Sequence, residues 1–81
     1  MKNRVKVTII GAKNSYYVDT LENWFLQIKD IVEENLGKEV ILELRDSEFE
    51  IPIILVNERK VFEGLPDNEG VFIEIILSNA K

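Results

Sequence analysis

Apolar and polar positions change period along the chain, and the changes mark its elements. From Arg4 to Ile10 the period is two, with Val5, Val7 and Ile9 on one side and Lys6, Thr8 and Ile10 on the other. That is the pattern of a strand with one wetter face. Gly11 ends it, and Ala12 to Val18, with Lys13, Asn14, Ser15 and the adjacent Tyr16 and Tyr17, reads as a loop. From Asp19 the spacing turns to three and four. Leu21, Trp24, Phe25, Ile28, Ile31, Val32 and Leu36 then make one wide apolar stripe, which predicts a helix. Asp19 as N-cap with Glu22 three residues on is a capping-box-like start, and Gly37 is the expected stop. Period two returns over Val40 to Arg45, where Val40, Leu42 and Leu44 oppose Ile41, Glu43 and Arg45.

Ile51-Pro52-Ile53-Ile54-Leu55-Val56-Asn57 is an unbroken apolar run, read as a strand buried on both faces. Glu58-Arg59-Lys60 then reads as a hairpin turn and Val61-Phe62 as the returning strand. Pro52 cannot donate a ladder hydrogen bond, so it belongs on an edge, at a strand's first residue or in a special turn. The tail from Asp67 to Lys81 fits two patterns. Val71 to Leu77 has strand composition, whereas Asp67, Gly70, Glu74, Ser78 and Lys81 would form one polar stripe on a helix. Pro66-Asp67 supplies a helix-start signal, and the helix is preferred. The order is β-α-β-β-β-α. Both helices must bury a stripe, so the expectation is an α/β two-layer sandwich with helices on one face of a four-stranded mixed sheet. The other face would carry Lys6, Thr8, Glu43 and Arg45 beside Ile41 and half of the buried strand. With Phe49 or Phe62 showing there, a homodimer burying that patch is one expectation.

Composition narrows the chemistry. Eighty-one residues make one domain, 1–81, with 46% apolar and 31% charged residues, a globular balance. A net charge of −5 argues against nucleic acid and anionic membrane surfaces. There is no cysteine and no histidine, which removes disulfides, thiolate nucleophiles, the commonest general base and the usual zinc sites. Lys2 and Arg4 precede only a short apolar stretch, broken by Lys6, with no signal-peptide core. A cytoplasmic protein without cofactor is therefore expected.

The element order, with Ile51-Pro52-Ile53-Ile54-Leu55-Val56 followed by Arg59-Lys60-Val61-Phe62-Glu63-Gly64, resembles the thioredoxin-like superfold. Its small thioredoxin- and glutaredoxin-like members are the nearest in pattern. The resemblance spans nearly the whole chain and is specific over Ile51 to Pro66. It implies that the peptide bond before Pro52 is cis and lies beside the loop that holds the family's Cys-x-x-Cys. Here Tyr16-Tyr17-Val18-Asp19 occupies that neighbourhood, so thiol–disulfide oxidoreduction is excluded. The helix that normally precedes the proline strand has no room in Asp46 to Glu50, as in selenoprotein W-like members.

Three candidate sites follow from the residues. Gly11-Ala12-Lys13-Asn14-Ser15 invites a phosphate-loop reading, but the second glycine is absent. Asp19 and Glu22 also oppose an anion at the helix start; a polar surface loop is the plainer account. Asp46, Glu48 and Glu50 offer paired carboxylates for acid–base work or a hard cation, or simply a solvated acidic loop. Tyr16 and Tyr17 either cover the helix start or line a groove with Ile51, Pro52 and Leu65. In the resembled fold, that groove receives an extended peptide. The leading expectation is a non-catalytic thioredoxin-like module that binds a protein or peptide partner or self-associates through Tyr16, Tyr17, Ile51, Pro52 and Leu65. The alternative is a carboxylate- and tyrosine-based enzyme or small-ligand-binding protein using the same cleft.

Overall fold

The computed structural model describes residues 4–80; Lys2 and Lys81 lie outside the described residues. The elements are β1 (Arg4–Gly11), α1 (Tyr16–Leu36), β2 (Glu39–Asp46), β3 (Ile53–Val56), β4 (Arg59–Glu63) and α2 (Glu69–Asn79). They form a small α/β domain with a four-stranded mixed open sheet in the order β2-β1-β3-β4. β1 and β2 are parallel, and β3 runs antiparallel to both β1 and β4. Val5, Val7 and Ile9 of β1, Val40 of β2, and Ile54 and Val56 of β3 turn to one face. There they meet Leu21, Phe25, Ile28 and Val32 of α1 with Phe72 and Ile76 of α2 in a single core. Both helices therefore cover the same face of the sheet, as the stripes require.

The tail is helical because that conformation brings Phe72, Ile76 and Ala80, four residues apart, to one buried side. Asn68 caps it, accepting from the Val71 N–H at 3.0 Å. Trp24 leans on Phe72 with ring centroids 6.5 Å apart, joining the two helices. Gly37 ends α1 at φ 65, and its N–H donates to the Glu33 carbonyl at 2.8 Å.

Four expectations are corrected. First, α1 begins at Tyr16, not after Asp19. The Ser15 hydroxyl accepts from the Tyr17 N–H at 3.1 Å and serves as N-cap, so both tyrosines belong to the first turn. Second, the hairpin turns on Asn57 and Glu58, at φ 51 and 71. Positive φ at two central residues matches the twist of a two-residue hairpin, and β4 therefore starts at Arg59. Ile54 pairs with Phe62 and Leu55 with Lys60, leaving Val61 as a bulge residue. Val61 and Phe62 both pack against the core.

Third, no peptide bond among the described residues is cis, so the bond before Pro52 is trans. Pro52 stands one residue ahead of β3, where its missing N–H removes no ladder bond. It is buried, and its carbonyl accepts from the Gly64 N–H at 2.7 Å.

Fourth, of the two phenylalanines expected on the face without helices, Phe49 is exposed beside Ile53 and Phe62 is turned away. Ile10, Ile41 and Ile53 are half-buried there, Thr8 and Leu55 are buried, and Phe62 faces the core. Long charged side chains lie over it. Lys6 pairs with Glu58 and, at 3.6 Å, with Glu43. Arg45 bridges Glu43 at 2.8 Å and Glu58 at 2.6 Å.

Candidate functional site

The β1–α1 loop and the β2–β3 connection meet at one end of the sheet, beyond the C-terminal ends of β1 and β2. Backbone bonds hold them together: Ser47 N–H donates to the Gly11 carbonyl at 3.0 Å, and Ala12 N–H to the Phe49 carbonyl at 3.2 Å. Gly11 is the residue that permits this closeness. A Cβ there would sit 2.7 Å from Cγ2 of Val18 and 3.5 Å from the Pro52 Cβ. Pro52 and the start of α1 thus close on the end of β1.

Between the two connections lies an open groove of about 740 Å³, lined by Ala12 to Tyr17 on one side and Glu50 and Ile51 on the other. Capping by Ser15 places Tyr16 and Tyr17 at its rim, their rings edge to face at 5.9 Å. Tyr16 is 72% exposed, Tyr17 43% and Ile51 58%, values too high for side chains that serve only as core. Phe49 and Leu44 are also exposed nearby. Phe49 adjoins a shallower hollow of about 480 Å³ on the far side of Ile51, with Glu48, Ile53 and Glu63. Leu44 borders a third, about 240 Å³, beside Gly11, Val18 and Asp46. Leu26 and Ile31, the other large apolar side chains exposed among the described residues, lie on α1.

Of the residues picked out from sequence, the structure therefore gathers Tyr16, Tyr17 and Ile51 around one groove. Pro52 is buried beside Gly11 and contributes no lining. Leu65 is half-buried against the core and does not line it. Leu44 carries no sequence signal for a site, Phe49 is read from sequence only as part of a sheet-face patch, and the groove wall from Ala12 to Ser15 only as a phosphate loop. A sequence clue existed for Phe49, an aromatic standing among Glu48 and Glu50 in a connection too short to bury it.

The polarity of this end is mixed, with Lys13 and Glu50 on opposite walls of the groove. The shifted carboxyl groups lie elsewhere. On the outer sheet face, the Lys6 ammonium and Arg45 guanidinium bonded to Glu58 hold its carboxyl below the usual value. Arg45, aided by Lys6 and Thr8, does the same to Glu43. Glu33 is lowered chiefly by accepting the Val40 N–H at 2.9 Å. Asp46, Glu48 and Glu50 do not converge: among the described residues no three metal-ligating side chains gather. What the groove can do is seat apolar or aromatic groups against two rings and a branched aliphatic chain, with hydrogen-bonding partners at its walls.

Comparison with known proteins returned no match, whether to a family model, to a curated protein or to a solved structure. No helix among the described residues is long and apolar enough to cross a membrane.

Proposed function

We propose that the chain is a non-catalytic, thioredoxin-like binding module that holds an extended segment of a partner protein in the groove of Tyr16, Tyr17 and Ile51. The observation that carries this reading is the crowding of exposed Tyr16, Tyr17, Phe49 and Ile51 at one end of a domain whose other apolar residues are mostly buried. Tyrosines in such positions are typical anchors, since they offer large rigid area with few rotatable bonds. The order β-α-β-β-β-α, with both helices on one face, supports the thioredoxin-like part. With Pro52 trans, recognition rests on side-chain contact at Tyr16, Tyr17 and Ile51.

A displayed library of extended peptides, selected on the wild-type chain, tests the proposal. Selected peptides should carry apolar or aromatic anchors, and Tyr16→Ala/Tyr17→Ala should weaken them at least tenfold (about the loss of one hot spot). Both rings are exposed, so thermal melts should show the variant folded. Unchanged binding by a folded variant, or no enrichment at all, would overturn the reading.

A further inference from the structure

The groove of Tyr16 and Tyr17 does not end at Ile51. Glu50 and Ile51 line both the groove and the hollow of Phe49 and Ile53, so the two form one continuous surface across this end of the sheet. Phe49 is fixed there by its own backbone: its N–H donates to the Ser47 hydroxyl at 3.2 Å, and its carbonyl accepts from the Ala12 N–H at 3.2 Å. Its side chain is left 50% exposed. Charges along this surface are sorted. Lys13 lines the groove and the hollow of Leu44 but not that of Phe49, which Glu48, Glu50 and Glu63 border instead. Glu63 pairs with Lys60 at 3.2 Å. The ion pairs among the described residues leave Glu48 and Glu50 without a cation.

We propose, on the strength of the binding reading above, that this surface takes a basic extended segment of a partner protein. One apolar anchor of the segment sits in the groove, a second lies against Phe49, and Lys or Arg stands beside the second. An extended chain turns alternate side chains to one surface. Two apolar ones therefore straddle Ile51, and a cation next to the second reaches Glu48 and Glu50. Complementary charge at the rim of an apolar contact steers encounter and rejects wrong partners. It also decides between occupants. A second copy would bring a chain of net charge −5, with the same two unmatched carboxylates, against this rim, and like charges oppose that. A basic segment meets its opposite there.

Two selections of displayed extended peptides, one on the wild type and one on Glu48→Lys/Glu50→Lys, test it. Peptides selected on the wild type should carry two apolar anchors with Lys or Arg beside one of them. On the reversed variant the anchors should persist and the flanking residues should turn acidic. Glu48→Gln and Glu50→Gln should each weaken a wild-type-selected peptide about two- to fivefold, the size of an exposed pair, and should flatten its dependence on salt. Phe49→Ala should abolish the preference at the second anchor and leave the first. All three side chains are exposed, so melts should show the variants folded. The salt dependence of the wild type needs no variant: its affinity for the basic peptides should fall as salt rises.

The two readings fail differently. Apolar anchors that depend on Tyr16 and Tyr17, selected without basic flanks or with the same flanks on the reversed variant, would overturn the basic segment and leave the binding module standing. Basic peptides without anchors, or no selection at all, would overturn both. A dimer in sedimentation velocity that excludes the selected peptides would put a second copy in place of the basic segment.

Discussion

At the scale of single residues, Gly11 shows how close the site is built. Its demand is steric, because the position of a Cβ is already taken by Cγ2 of Val18, 2.7 Å away. Gly11→Ala should therefore cost about 1–3 kcal/mol, the range for overpacking a tight contact, read as a lower midpoint in urea denaturation. Val18→Ala removes the opposing methyl. The double variant should lose less than the sum of the single losses, because residues in contact couple. Strictly additive losses would show that the contact is not what Gly11 serves. From the sequence, Gly11 is legible only as the end of a strand. The clash partner comes from the first turn of α1, which the Asp19–Glu22 pattern puts one turn too late. Glu58 is similar: its φ of 71 is invisible in a sequence that reads Asn-Glu where the common turn would read Asn-Gly, so the turn was placed a residue late.

The elements themselves are legible wherever one periodicity dominates. β1, β2 and the body of α1 follow from alternation and from the three–four stripe, and the tail helix follows from its polar stripe despite its β-branched residues. Boundaries fail where two signals compete. Asp19 with Glu22 mimics a capping box, yet Ser15 is the residue whose hydroxyl reaches the Tyr17 N–H. That difference of one turn moved the tyrosines from loop to helix and fixed them at the groove. The site is thus half legible: Tyr16, Tyr17 and Ile51 carry an aromatic and apolar excess in polar surroundings, while Pro52 and Leu65 enter only through the resemblance and do not line the groove. The cap assignment makes its own prediction. Ser15→Ala should destabilise by about 1 kcal/mol, and Asp19→Ala by no more than the dipole effect of about 0.3–1 kcal/mol. A larger loss for Asp19→Ala than for Ser15→Ala in thermal or urea melts would return the N-cap to Asp19.

For the whole molecule, the two faces of the sheet are closed by different physics. Helices bury one. On the other, the Lys6–Glu58–Arg45–Glu43 network lies over half-buried isoleucines. The charged stems shield apolar area there, and their heads remain in water. That network, with Glu33 of α1 on the Val40 N–H, makes stability depend on pH in a definite sense. Glu33, Glu43 and Glu58 have carboxyls lowered from 4.5 in the folded chain, so the unfolded chain binds protons first on acidification. Their contribution is complete above 4.5 and is lost as the pH falls through the lower folded values. Lys6 is raised from 10.5, chiefly by its bond to Glu58 against the opposing cost of burial. Its contribution is complete below 10.5 and disappears only as the pH rises through the higher folded value. The urea midpoint should accordingly stay level through neutrality and fall on acidification below 4.5. Glu58→Gln, which removes the carboxylate that Lys6 and Arg45 share, should make the acid fall shallower and lower the neutral plateau, and high salt should narrow the gap between the two proteins because the groups are solvent-exposed. If Glu58→Gln reproduces the wild-type acid profile, the network covers the face by its apolar stems alone, and its charges add nothing to the fold.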